Sequence, residues 1–171
     1  IQIAQQGSLV VTDRTVASLP PEFRDLFIPD FEDPTYYSSR FMGFFLLDPD
    51  DGRVVGQFPH LYPIWIAIGY GINGLSGARQ VLGLWAVLGV VAVYFAGAWL
   101  VGRPAAAAGA FLLSVHVAQV WYSRYPNAEI LMQAFLFAAV LAFCRANAQR
   151  DPFLAPLAAL LVTVTLFVHF T

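Results

Sequence analysis

The chain has 171 residues, of which 58% are hydrophobic and 12% charged, with a formal net charge of −2. An ordinary soluble domain carries about 25% charged residues, so a soluble globular domain does not describe the whole chain. No basic run is present, and a nucleic-acid partner is not expected.

The charge is unevenly placed. Residues 1–57 hold four arginines and nine acids, a net of −5, whereas residues 58–171 hold five arginines and two acids, a net of +3. An acidic, polar front therefore precedes an apolar body. There is no lysine, so every fixed positive charge is an arginine, whose forked guanidinium suits phosphate or carboxylate; a GC-rich coding bias would give the same composition. The single cysteine, Cys144, excludes an internal disulfide and most zinc-site spacings. The chain opens at Ile1 and stops at Thr171 within an apolar run, and no signal-peptide pattern is visible. A piece of a larger membrane protein is expected.

Residues 1–14 suggest the end of a helix stopped at Gly7, then a short extended run over Leu9–Val11. From Thr15 to Asp51, prolines alternate with acids and aromatics. Disordered segments are poor in aromatics, so an ordered loop region over 1–57 with one or two short helices is expected, one of them over residues 20–27; the arginine count of the helix loops, given below, makes it outer-facing. Asp48-Pro-Asp-Asp-Gly52 reads as a turn. Its acids do not follow an EF-hand loop, because Pro59 falls at the twelfth position where a glutamate is needed.

Residues 58–78 read as a juxtamembrane helix lying at the interface. Its apolar part, Ile64–Leu75, is short for a span, which needs about 20 residues, and Tyr62, Trp65 and Tyr70 would sit at headgroup level. Gly69-Tyr-Gly-Ile-Asn-Gly74 matches G-x-G-x-x-G, but the acid a dinucleotide site needs about 20 residues later is absent. These glycines are expected to end one helix and turn into the next.

Residues 79–171 read as transmembrane helices at about 81–101, 104–123, 128–144 and 152–171. The Ala/Gly run from Ala105 to Ala110 suits close helix packing. Loops with Arg103 and with Arg145 and Arg150 fall on one side, and Arg79 and Arg124 on the other. Three arginines against two place the first set in the cytoplasm.

Six residues could carry chemistry. Arg79 opens a span and is either a headgroup anchor or a phosphate contact. His60 in Phe-Pro-His-Leu-Tyr-Pro has a structural role or donates to a phosphate. His116, mid-span with Gln119 three residues on, reads as an interhelical hydrogen-bonding residue. Arg124 and Glu129 flank the start of a span. They either form a salt bridge or share a site, the carboxyl orienting or deprotonating an acceptor and the arginine holding a departing phosphate. Tyr62 completes the set beside His60.

The order of several short pieces resembles the membrane glycosyltransferases of the GT-C type, in the family 39-like group of protein mannosyltransferases and aminoarabinose transferases. The pieces are Ile3-Ala-Gln-Gln-Gly-Ser-Leu-Val10, Phe58-Pro-His-Leu-Tyr-Pro63, Ala78-Arg79, Val93-Tyr94, Leu100-Val-Gly-Arg103, and Ser123-Arg124 followed by an acid five residues on. The resemblance covers most of residues 1–148.

It implies an all-α polytopic membrane protein, a transmembrane helix bundle with an outer-facing first loop containing short juxtamembrane helices. It implies transfer of a sugar from a polyprenyl-phosphate donor to an acceptor on the outer face of a bacterial cytoplasmic membrane. Glu129 would match the family's second-loop acid and be the catalytic residue here. Arg79, Arg124, His60 and Tyr62 would bind substrate. No residue is assigned to a metal, although a divalent ion is left open as a cofactor. The partners would be the lipid-linked donor, membrane lipid and an unidentified acceptor. In two respects the chain departs from the family. The principal catalytic acid would fall before Ile1, so this piece alone is expected to be inactive, and the lysine found near the juxtamembrane helix in some relatives has His60 as its nearest substitute. A transporter or channel segment, and a non-catalytic subunit of the same fold, are the competing expectations.

Overall fold

The computed structural model describes residues 2–20, 22–23, 28–29, 39–41, 43–48, 51–56, 60–125 and 128–169. It divides into two compact units, residues 1–60 and residues 61–170.

The first unit is built on a five-stranded antiparallel sheet, which the expectation of an all-α chain does not cover. Its elements are α1 (Gln2–Gln6), β1 (Val10–Thr12), α2 (Arg14–Ala17), β2 (Ile28–Pro29), β3 (Ser39–Phe41), β4 (Phe44–Asp48) and β5 (Arg53–Gly56), with strand order β1-β5-β4-β3-β2. The opening strand pairs with the last one, Val10 opposite Val55 and Thr12 opposite Arg53. Leu46, at the centre of β4, is 2% exposed and anchors the sheet's buried face. Of the helix expected over 20–27, only Pro20, Glu22 and Phe23 are described, with Phe23 N–H donating to Pro20 O at 3.0 Å.

One turn locks this unit. Gly52 has φ +64°, and a Cβ there would collide with the Asp13 carbonyl oxygen and come within 2.8 Å of Ala17 Cβ. Only glycine fits so close an approach at that backbone angle. Gly52 O in turn accepts from Asp13 N–H at 2.8 Å.

Asp13 is also the N-cap of α2, its Oδ1 accepting from Thr15 N–H at 2.7 Å. Hydrogen bonds from the Thr15 backbone and then from its side chain hold the Asp13 carboxyl below its ordinary value of 3.8. A depressed pKa stabilises the fold above the unfolded value, and that contribution disappears as pH falls through the folded one. Amide-exchange protection at Ala17 and Ser18, corrected for the intrinsic pH dependence, is therefore expected to fall below pH 3.8. Asp13→Asn keeps the cap and should remove that acid sensitivity; an unchanged pH profile in the variant would refute the assignment.

The second unit is helical: α3 (Leu61–Val101), α4 (Arg103–Val115), α5 (Val117–Arg124), α6 (Glu129–Gln149) and α7 (Leu154–His169). Helix α3 is two segments joined at Asn73 (φ −144°, ψ 36°) and Gly74 (φ 54°, ψ −144°), neither of which is helical. Eight residues of straight helix would separate Gly69 from Gly77 by about 12 Å. Instead their backbones touch: a Cβ on Gly69 would lie 2.6 Å from Gly77 O, and one on Gly77 would collide with Gly69 O. The chain thus doubles back at Gly74, and the glycine-rich stretch is a turn between helices.

The pattern of burial is the reverse of that in a soluble bundle. Small residues fill the contacts: Ala96, Ala106, Ala110, Ala134, Ala139 and Ala142 are all buried. A Cβ on Gly97 would come within 3.2 Å of Ala106 Cβ where α3 crosses α4, and one on Gly89 within 3.3 Å of Gln133 where α3 crosses α6. Large apolar side chains point outward, among them Val87, Phe95, Leu100, Phe111, Phe143 and Phe167. Such a surface belongs in lipid, where close packing of small residues, not burial of large ones, holds helices together. The hydroxyls follow the same logic. Ser114, Ser123, Thr163 and Thr165 each donate to a backbone carbonyl three or four residues earlier, which satisfies them without water.

Helices α3 and α6 are long and apolar enough to cross a membrane, and α4 with α5 makes a third crossing if the bent pair is one span. These helices mark an integral membrane protein. Two boundaries differ from expectation. The span expected over 104–123 is bent by 55° at His116. The helix expected to end at Cys144 continues to Gln149, which puts Arg145 on a helix and not in a loop.

Candidate functional site

At one end of the helical unit, the starts of α3 and α6 meet in a core of Tyr62, Leu82, Leu131 and Val168. Trp65, Trp85, Ala128, Met132 and Phe135 pack around it. Leu131 has no exposed surface and Tyr62 is 8% exposed. Trp65 meets Trp85 edge to face at 5.0 Å between ring centroids, and Phe135 lies tilted against Trp85 at 5.2 Å.

Glu129 is the first residue of α6, next to this core. Its N-cap, Ala128, has no side chain with which to cap the helix. A carboxyl here faces the positive end of the helix macrodipole, which favours it by about 0.3–1 kcal/mol. Yet Glu129 Oε2 is buried with no hydrogen-bond partner among the described residues. Trp85 Nε1, attached to the same core, is likewise buried without an acceptor. A donor and an acceptor are thus held unsatisfied near one end of the bundle, each at a cost of about 1–3 kcal/mol.

The other expected site residues are placed as follows. Tyr62 lies in the first turn of α3 and shares its core with Ala128 and Leu131, on either side of Glu129. Arg79 is exposed, one turn before Leu82 of that core. Arg124 is the exposed last residue of α5. Among the described residues no ion pair joins it to Glu129. The extended backbone of Tyr125 (φ −101°, ψ 147°) breaks the helix between them, so the two side chains share no helical face. His60 is half-buried and closes the first unit. No three His, Cys, Asp or Glu side chains converge among the described residues. The helical unit brings one carboxyl to this end, too few oxygen ligands to hold a hard divalent cation by itself.

Two residues were not read correctly, or not read at all, from sequence. His116 does not bond between helices: its backbone is extended (φ −67°, ψ 133°), and its Nδ1 accepts from Ala118 N–H at 3.2 Å, so it caps α5 at the break. Trp85 carried no polar signal to set it apart from the other aromatics of its span. Beside the break lies a cavity of about 230 Å³ lined by Ser114, Gln119, Ser123 and valines of α3. Gln119 is 8% exposed, and its Nε2 has no hydrogen-bond partner among the described residues. A second cavity, of about 380 Å³, lies between the end of α3 and the end of α6. Neither of these two cavities is lined by Glu129. Comparison with family models, with curated proteins and with solved structures finds no match.

Proposed function

We propose that the chain is part of a polytopic membrane glycosyltransferase that takes a sugar from a polyprenyl-phosphate donor at the outer face of a bacterial cytoplasmic membrane. The observation that carries the reading is the carboxyl oxygen of Glu129, buried at the mouth of a membrane-crossing helix with no hydrogen-bond partner among the described residues. A protein keeps such a group in lipid when it serves a substrate, because an ionisable side chain at membrane depth is costly. Glu129 orients an acceptor hydroxyl or takes its proton. Arg79 and Arg124, exposed and uncommitted to any acid among the described residues, are free to hold the donor phosphate as charge develops on it. Tyr62 lies in the first turn of α3, and His60 directly precedes that helix in the chain. The order of motifs resembling the GT-C group adds to this reading.

Binding tests it. Native mass spectrometry of the protein in detergent is expected to show polyprenyl phosphate bound in preference to polyprenol of equal length. Arg79→Gln should weaken the phosphate form about tenfold, one lost charge-assisted contact of about 1.4 kcal/mol. Equal binding of alcohol and phosphate, or no effect of Arg79→Gln, would sink the reading.

A specific observation favours a second one. Transporters place substrate at broken helices near the bilayer midplane, and the break at His116 stands beside Gln119, whose Nε2 has no partner among the described residues. On that reading Gln119→Leu abolishes solute flux in proteoliposomes, and polyprenyl phosphate does not bind.

A further inference from the structure

The end of the helical unit where α3 finishes and α4 begins carries a different chemistry. The cavity of about 380 Å³ there is lined by Tyr94, Phe95 and Trp99 of α3, Arg103 of α4, and Arg145 and Gln149 of α6. Two guanidinium groups therefore share one opening. Neither has an acidic partner among the described residues. The acid nearest to Arg145 in sequence, Asp151, accepts from Phe153 N–H at 2.8 Å through Oδ1 and forms no ion pair with either arginine among the described residues.

Two like charges around one cavity repel, and an anion between them turns that repulsion into attraction. Two features add to the demand for negative charge. Arg103 and Arg145 can each present a fork to phosphate oxygens. Gln149 supplies an amide donor.

The surroundings identify the source of the anion. Phe95 and Trp99 are about half exposed, and Leu100 and Val101 more so. Aromatic rings of this kind mark headgroup depth in a membrane, and the apolar side chains continue from the cavity along the outside of α3. A soluble anion would have no use for that apolar wall, whereas acyl chains would lie along it. The geometry points to a binding site for the phosphodiester headgroup of an anionic glycerophospholipid, held between Arg103 and Arg145 with its acyl chains along α3. Basic pockets between membrane helices take such headgroups.

The site lies at the opposite end of α6 from Glu129, and its test is separable from that of the proposed donor site. The protein in detergent is titrated with phosphatidylglycerol and with phosphatidylcholine of the same acyl chains, and bound lipid is counted by native mass spectrometry. Wild-type protein is expected to prefer phosphatidylglycerol. The pair Arg103→Gln and Arg145→Gln should weaken phosphatidylglycerol binding at least about tenfold, leave phosphatidylcholine unchanged, and leave polyprenyl phosphate binding unchanged. Both arginines are exposed, and circular dichroism checks that helicity is kept; Arg145→Gln alone should give a smaller loss in the same direction. Millimolar inorganic phosphate should not displace the lipid. The proposal is overturned if the double variant keeps its preference for phosphatidylglycerol, or if inorganic phosphate competes as well as the lipid does.

Discussion

Gly77→Ala is expected to destabilise the helical unit by about 3 kcal/mol, the upper end of ordinary overpacking. A Cβ at residue 77 would collide with the carbonyl oxygen of Gly69 and approach its carbonyl carbon to 2.9 Å. Both are backbone atoms, so no rotamer change can make room. The second segment of α3 would have to move away from the first, and Leu82 and Trp85 would move with it. These two residues pack with Tyr62 and Leu131 in the core beside Glu129, so the loss propagates to the candidate site. Gly71→Ala is the control. Nothing lies within 4 Å of a Cβ there, and Gly71 is helical, so alanine should stabilise it by about 0.5–1 kcal/mol. Thermal or denaturant unfolding in detergent, followed by circular dichroism, gives both values. If Gly77→Ala is as stable as Gly71→Ala, the close crossing at Gly69 and Gly77 does not exist.

Much of the helical unit could be read from hydropathy and glycine. Arg79 and Arg103 bracket an apolar run, and the turn at Gly74 follows from an apolar stretch too short to cross, rich in glycine and without the acid a nucleotide site needs. The sheet was hidden for physical reasons. Its strands are two to five residues long, and Phe44-Phe45-Leu46-Leu47 has no alternation from which to read a period of two. The first strand is completed by the last, Val10 against Val55, a pairing that no local pattern encodes. The break at His116 was also illegible. No proline or glycine marks it, and Val115 and Val117 on either side suit a membrane helix as well as they suit an extended turn. As for the site, sequence placed Glu129 at a helix start, which the dipole explains. That its Oε2 is buried without a partner among the described residues depends on how the neighbouring core of Tyr62 and Leu131 packs, and packing is a tertiary fact.

Glu129→Leu is expected to make the protein more stable and less active, and the opposite signs separate a site from a structural ion pair. Removing a buried, unpartnered polar atom gains about 1–3 kcal/mol. The same change forfeits the dipole interaction at the first turn of α6, about 0.3–1 kcal/mol. The net is a gain of about 1 kcal/mol, read as a higher unfolding midpoint. Glu129→Gln keeps the shape and loses the proton-accepting carboxylate, so transfer from a polyprenyl-phosphate sugar, measured in membranes of the full-length protein, should fall about 10²–10⁴-fold, the usual contribution of a general base. A salt bridge to Arg124 would reverse the first sign, since breaking it leaves a lone charge and lowers the midpoint. Helix geometry argues against that pair, because the extended Tyr125 separates the two residues. Natural sequences retain destabilising groups where activity needs them, and a stabilised, inactive variant is the usual signature. A lower midpoint with unchanged transfer would remove Glu129 from the chemistry and leave it as a helix-start residue.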